Sequence, residues 1–220
     1  MLRLAADLHI HTVLSPCASR EMTPPAIVRE AAQKGLAMIA VCDHNTAGNV
    51  RAVARAAAMI PGGPAVIPGI EITTLEEAHV LGWFRTPEDA CAVADSLEVD
   101  AALISAASRF TLSETVDLIH SHGGLAVAAH VDRRSFSVPG QLGFIPPDVP
   151  FDGLEISAAG AARGKASGFA AHGLPLVSSS DCHFLADMGT GFTLLQVGEA
   201  TFDEIVKSLG RVEGRGCEIA

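Results

Sequence analysis

The chain has no tyrosine and a single tryptophan, Trp83, among its 220 residues. That leaves little aromatic surface on which successive bases of a nucleic-acid strand could stack. Positive charge is scarce as well. Fifteen Lys and Arg stand against 25 Asp and Glu, a formal charge of −10, and a surface of that sign repels a phosphate backbone unless something positive is added locally. Nucleic acid is therefore not an expected partner, although a bound divalent cation would reverse the local sign. The five cysteines (Cys17, Cys42, Cys91, Cys182 and Cys217) are odd in number and never spaced Cys-x-x-Cys, which argues against both a disulfide framework and a zinc ribbon. Apolar runs such as 35–42 and 125–129 fall far short of the ~18 residues a spanning helix needs. No membrane segment is expected. The opening Met-Leu-Arg-Leu-Ala-Ala-Asp has no apolar stretch of signal-peptide length, so the cytoplasm is the default compartment.

Apolar residues are abundant, at 49 % with a mean hydropathy of +0.34, enough to bury one large core. A single domain over residues 1–220 is expected on length. Short runs apolar on both faces read as strands of a covered parallel sheet: Leu4 to His9, Met38 to Cys42, Ala65 to Ile70, Val80 to Phe84, Leu125 to Ala129, Gly153 to Ile156, Leu176 to Ser179 and Thr193 to Val197. Between them lie helix signals. Thr23-Pro24 opens a helix that Gly35 closes, and Thr86-Pro87 repeats the start. Thr111 with Glu114 and Thr201 with Glu204 have capping-box spacing. Alternating strands and helices imply an α/β fold, either a (β/α) barrel or an open doubly wound sheet.

Nine histidines are present, and their positions sort them. His120, His122 and His172 precede Gly123 or Gly173 at predicted helix ends, where a cation interacts well with the helix dipole. The other six, His9, His11, His44, His79, His130 and His183, sit at or beside strand ends. His79 alone begins its strand. In a barrel or parallel sheet the carboxyl ends of strands share one edge, so residues scattered in sequence converge there. His9 and His11, two apart, face the same way and are placed to chelate one ion. Asp43 reads either as a side chain that orients a neighbouring ligand or as part of a turn built with Asn45. Glu71 ends an apolar strand, where a buried carboxylate requires a partner or a metal. His130 closes Leu-Ala-Val-Ala-Ala-His, and Asp181 and His183 follow in Ser-Asp-Cys-His. Six His with Glu71 and Asp181 make more N and O donors than one tetrahedral zinc can use.

In their order along the chain, Asp-Leu-His-Ile-His-Thr, Asp-His-Asn (43–45), Pro-Gly-Ile-Glu (68–71), His-Val-Leu-Gly (79–82), Ala-His (129–130) and Ser-Asp-Cys-His (180–183) resemble the PHP (polymerase and histidinol phosphatase) family. The resemblance implies a distorted (β/α)₇ barrel, TIM-barrel-like, with two or three divalent ions (zinc, manganese or iron), and metal-dependent phosphoester hydrolysis. By analogy His9, His11, Glu71 and Asp181 hold one metal, Glu71, His79 and His130 a second, and His44 and His183 a third. Family members commonly place His or Asp seven or eight residues beyond the first His, where this chain has Pro16 and Cys17. Cys17 is then an inert small residue, a reactive thiol, or a third-metal ligand.

The expected reaction is attack on phosphorus by hydroxide bridging the metals at Glu71, with Asp181 and His183 as further catalytic groups. Arg133 and Arg134 either clamp the phosphate or lie in a solvated loop. A small phosphorylated substrate is expected, with specificity in the Pro- and Gly-rich stretch 131–152. Two alternatives stand beside this reading: hydrolysis of C–N or C–O bonds, and a metal-dependent binding module without turnover.

Overall fold

The computed structural model describes residues 1–100 and 104–220. All eight expected strands form: β1 (Leu2–Ile10), β2 (Met38–Val41), β3 (Ala65–Thr73), β4 (His79–Trp83), β5 (Leu125–Ala128), β6 (Gly153–Ser157), β7 (Leu176–Ser179) and β8 (Thr193–Val197). A ninth, β9 (Gly216–Ile219), closes the chain. The helices are α1 (Pro24–Gln33), α2 (Val50–Ala58), α3 (Pro87–Ser96), α4 (Leu112–Ser121), α5 (Val138–Leu142), α6 (Ala158–Ala162) and α7 (Phe202–Leu209).

The strands form one sheet in the order β7-β6-β5-β4-β3-β2-β1-β8-β9. It curls into a nearly closed TIM-like barrel. Closure takes place at the upper half of β1, where Ile10 bridges Cys182 and His11 N–H donates to Cys182 O at 3.1 Å. Lower down, β1 pairs antiparallel with β8 over Leu2 to Ala6, and β8 is tied to β7 through Thr193 Oγ1, which accepts from Ser178 N and donates to Ser178 O. The barrel is distorted by β4, which runs antiparallel to both neighbours. Its start therefore lies beside the ends of β3 and β5, and His79, the one histidine that begins its strand, reaches the same edge as the others.

Outside β1, successive strand residues go to opposite faces of the sheet, and both faces are buried. Met38, Ala40, Ile67, Leu81, Trp83, Leu125 and Val127 fill the interior, and α7 plugs the lower end with Phe202, Ile205 and Leu209. Their partners on the other face pack against helices: Ile39 and Val41 with α1 and α2, and Ile70, Ile72, Leu154 and Ile156 with the layer containing α3 and α4. This parity aims Glu71 and Glu155 inward. In β1 the parity changes. Ala6 and Leu8 belong to the interior, Ile10 to the outer layer, and the ladder with β2 shifts register between Asp7 and Ile10. The irregularity turns His9 and His11 over the barrel mouth, a use to which sheets put such shifts near functional sites.

The helix starts largely follow the sequence. Thr111 and Glu114 close a full capping box on α4, and Thr111→Ala should lower stability by about 1 kcal/mol, read as a shift in the urea midpoint at unchanged slope. The second expected box does not form. The Thr201 side chain makes no cap hydrogen bond; Glu204 instead accepts from Gly198 N and pairs with Arg215, because a nearby guanidinium offers a charged partner that a hydroxyl does not.

Candidate metal centre

Six of the seven barrel strands β1 to β7 carry or deliver the potential ligands to one rim, and β6 contributes a carboxylate, Glu155, just beneath them. Glu71 is the hub. Its Oε1 lies 2.8 Å from His79 Nδ1, 3.2 Å from His130 Nε2 and 3.4 Å from His9 Nε2, while Oε2 lies 3.0 Å from His44 Nδ1 and 3.3 Å from His11 Nε2. Asp181 Oδ1 reaches His11 and His9 Nε2 at 3.0 and 3.3 Å, and its Oδ2 receives Arg133 Nη1 at 2.6 Å. The backbone favours this crowding: Gly69 stands at an inward position where a Cβ would meet Cys42 Sγ at 2.7 Å, so only glycine lets β3 approach β2 this closely.

As a hydrogen-bonded network the cluster is incomplete. Glu71 Oε2 and His44 Nδ1 stand 3.0 Å apart without the alignment of a hydrogen bond, and His130 Nδ1 is buried without a partner. Buried polar atoms left so are costly unless something else satisfies them. The donor chemistry fits divalent ions: His9, His11 and Glu71 form one group with ligand atoms within 4.8 Å of one another, His44, Glu71 and His79 a second, and His11, His44 and His183 a third. The expected second group had His130 instead of His44. In the structure both face Glu71, His130 at Oε1 and His44 at Oε2.

The charges of the metal-free site are set by this packing. Burial opposes ionisation of His9, but the carboxylates of Glu155, Asp181 and Glu71 outweigh it and hold its pKa well above the ordinary value. His44 rises to about 10 against the effect of burial, chiefly through the charge of Glu71. Glu71 and Asp181 fall below the carboxylate range despite burial, drawn down by the imidazoles around them. Burial, joined by the charges of His130 and His44, lowers His79 against the pull of Glu71. Cys17, lined up with His183 and His44, falls to about 6 although its partial burial acts the other way. Protons thus hold this site together without metal, and ions entering it must displace them.

A ring of supporting groups fixes the imidazoles. Asp43 accepts from Thr12 N at 2.7 Å, from Thr12 Oγ1 at 2.6 Å and from Ser15 Oγ at 2.6 Å, and Ser15 Oγ meets His11 Nδ1 at 2.9 Å. Asp43 therefore orients His11 through Ser15, leaving Nε2 free for a ligand role. Glu155 does the same for His9, at 3.0 Å from Nδ1, and also accepts from His130 N. Sequence reasoning passed over Glu155, yet it carries the signal that singled out Glu71: an acid between Leu154 and Ile156 in an apolar strand. Asp7 is no ligand. Its carboxylate accepts from Ser180 N and Gly189 N, and burial pushes its pKa up to about 6.

The rim opens on a cavity of about 480 Å³ lined by Cys17, His44, His79, Arg133, Phe136 and His183 among others. Phe136 is a further residue the sequence did not mark. It has φ +57°, stacks on His79 at 5.0 Å and accepts from His79 N through its carbonyl; a bulky residue in that conformation is uncommon and gathers at functional sites. Asn45, His130 and Asp181 also have positive φ. Arg133 lines the cavity, whereas Arg134 does not. With Arg133, Arg163 and Lys165 it lines an adjoining groove of about 710 Å³. The three remaining histidines lie elsewhere: His120 pairs with Asp152 at 2.8 Å, His122 Nδ1 meets Leu118 O, and His172 stacks near Phe169.

Residues 161–212 match the PHP-associated family. No curated protein matches the chain in sequence. Among solved structures, endonuclease Q from Pyrococcus furiosus superposes with a TM-score of 0.73 at 21 % identity, covering 98 % of this chain and 58 % of the endonuclease, so this chain spans little more than half of that protein. A protein from Bifidobacterium adolescentis, described as a candidate metal-dependent phosphoesterase, gives 0.63 at 19 % identity over 94 % of this chain and 96 % of its own. An amidohydrolase from Chromobacterium violaceum gives 0.62 at 20 % over 84 % and 89 %. At these identities the likeness is one of fold, and with the PHP-associated segment it bears out the resemblance read from the sequence. One expectation is corrected. Endonuclease Q has been solved with a 27-mer duplex bearing an abasic lesion at its active site, so this fold accommodates nucleic acid, and the net charge of −10 does not exclude it. Charge summed over the chain also hides a local grouping: Arg133, Arg134, Arg163 and Lys165 line one groove, with Asp132 the acid among them.

Proposed function

On a PHP-type barrel with this centre at its mouth, we propose that the protein is a metal-dependent phosphoesterase. The observation that carries the reading is Glu71, a buried carboxylate whose two oxygens face five imidazoles within 3.4 Å. His9, His11, Glu71 and Asp181 would hold one ion, and Glu71 a second with His79, His130 or His44. Divalent ions bound there would supply a nucleophile by acidifying water near neutral pH, and would neutralise charge on the phosphoryl oxygens.

The chain's own residues do the rest. Arg133, at the cavity wall, offers a planar fork of donors to a phosphate oxygen. Its pairing with Asp181 Oδ2 keeps that oxygen on the cavity side, while Oδ1 faces His9 and His11. Phe136 stacks on His79 at the rim. The groove beyond suits a substrate with more than one phosphate. Arg134 has no carboxylate partner among the described residues, and Arg163 bonds a backbone carbonyl, so both guanidinium groups are available to an anion. A phosphate ester carrying a second phosphate, a nucleic-acid strand included, satisfies both the cavity and the groove.

The test is a substrate panel with metal-loaded protein: aryl phosphate mono- and diesters, oligonucleotides, and amides and lactones. Hydrolysis of phosphate esters that disappears with a chelator supports the reading. Turnover of amides or lactones alone favours the C–N or C–O alternative, and retained metal with no turnover at all favours a binding module. Arg134→Gln with Arg163→Gln should raise KM for an oligonucleotide roughly tenfold or more, since a hydrogen bond to a charged group contributes about 1.5–3 kcal/mol. The same variant should leave a simple aryl phosphate, which cannot reach the groove, unaffected.

A further inference from the structure

The turn between β5 and α5 presents one apolar residue outward and buries the two that follow. Phe136 is 46 % exposed, whereas Ser137 and Val138 are buried completely. Ser137 Oγ donates to Arg133 O at 2.7 Å and accepts from Gly140 N at 3.0 Å, which closes the turn on itself. A Cβ at Gly140 would meet Arg134 O at 2.5 Å, so α5 seats against the turn only with glycine there. The Phe136 carbonyl accepts from His79 N at 2.8 Å, fastening the turn to the start of β4. With φ +57° the residue occupies a region that a bulky side chain enters at a cost, and such outliers gather at functional sites.

We infer that Phe136 is a platform on which the cavity receives a flat aromatic ring of its substrate, and that it is thereby a specificity-determining residue. The inference rests on the phosphoesterase reading above and adds the chemistry of the group that the phosphate carries. The ring of Phe136 stacks on His79, with centroids 5.0 Å apart and planes 20° from parallel. Its orientation is thus set by a residue whose Nδ1 lies 2.8 Å from Glu71. The exposed part of the ring lines the cavity.

One turn therefore carries two contacts. Arg133 offers its guanidinium to a phosphate oxygen, and Phe136, three residues on, offers carbon surface to whatever that phosphate is joined to. Both line the same cavity of about 480 Å³, a volume within the range of small-molecule sites. Among the described residues lining it, Phe136 is the one with a phenyl ring. Every base and every aryl group has a face to lay on such a ring, so the platform selects for flatness and not for a pattern of hydrogen bonds.

Phosphonates test this without turnover, because their C–P bond is not the bond a phosphoesterase breaks. The full-length chain loaded with manganese is titrated calorimetrically with two matched pairs: phenylphosphonate against cyclohexylphosphonate, and a nucleoside 5′-phosphonate against the same sugar phosphonate without its base. The flat member of at least one pair should bind roughly tenfold more tightly, the scale of one base stacked on an aromatic side chain. Phe136→Leu, which keeps an apolar side chain and removes the flat face, should erase that preference at unchanged ions per chain, and Phe136→Trp should restore it. The pair that shows the preference tells an aryl ester from a nucleoside. No preference in either pair, a preference that survives Phe136→Leu, or an equal loss of all four ligands together with metal overturns the platform and leaves the phosphoesterase reading standing. Failure of the metal-loaded chain to bind any of the four overturns both.

Discussion

Glu71→Gln should lower kcat/KM for phosphate ester hydrolysis by roughly 10²–10³-fold or more, the scale on which removing one electrostatic stabiliser of a transition state is felt. The amide keeps the shape of the carboxylate and removes its charge. Five imidazole nitrogens within 3.4 Å of its two oxygens then face a neutral group that presents two hydrogens where lone pairs stood. On the proposed reading two ions would lose a shared ligand at once, so elemental analysis should find fewer ions per chain and added metal should not restore turnover. Without metal the variant should also be less stable, because breaking a buried ion pair leaves the other charges uncompensated, at a cost of about 3–5 kcal/mol. The depressed pKa of Glu71 gives this stability difference a sign in pH: it is fully present at neutral pH and shrinks as acid protonates the native carboxylate. His122→Gln is the control. That ring bonds Leu118 O at the end of α4, and its loss should leave activity and metal content unchanged. Equal losses in the two variants, both folded, would refute the assignment of Glu71 as hub.

The residues that gather at the rim were legible in the sequence because an apolar run that ends in His or Glu violates the burial rule it otherwise obeys. His9, Glu71 and His130 each announce themselves in this way, and the parallel barrel supplies the convergence. What the sequence hid was relational. Nothing local indicates that β4 runs antiparallel, and only that reversal explains why His79 belongs to the rim from the start of its strand. β9 lacks the apolar run that marked the other strands: Gly216, Cys217 and Glu218 pair with β8 at the barrel seam and bury little. The basic groove was hidden for a different reason. Arg133 and Arg134 are some 30 residues from Arg163 and Lys165 in sequence, and their charges sum only once α6 and the loop after β5 are brought side by side. The failed capping box at Thr201 shows the opposite limit, a correct local pattern overruled by a stronger distant partner, Arg215.

Glu155→Gln should weaken metal binding by about 10–100-fold, the usual effect of losing a carboxylate behind a ligating histidine. Both oxygens of Glu155 approach His9 Nδ1, at 3.2 and 3.0 Å, and the nearer one also accepts from His130 N at 3.0 Å. A glutamine can keep one of those oxygens as an acceptor, but its NH₂ then confronts the Nδ1 proton of His9 at the other position. His9 must turn or change tautomer, and either response spoils the aim of Nε2 at Glu71 and Asp181. Because the ligands themselves remain, this variant should regain activity at saturating metal, which separates it from Glu71→Gln. Proton release offers a second readout. The charge of Glu155 is the chief influence raising the pKa of His9 against burial, so at neutral pH the native ring is protonated without metal and must lose that proton to bind. Remove the carboxylate and that pKa falls, with Asp181 and Glu71 left to hold the proton, so fewer protons leave per ion bound. Calorimetric metal titrations in buffers of different ionisation enthalpy measure that number directly. An unchanged proton count together with unchanged affinity would show that Glu155 does not govern His9.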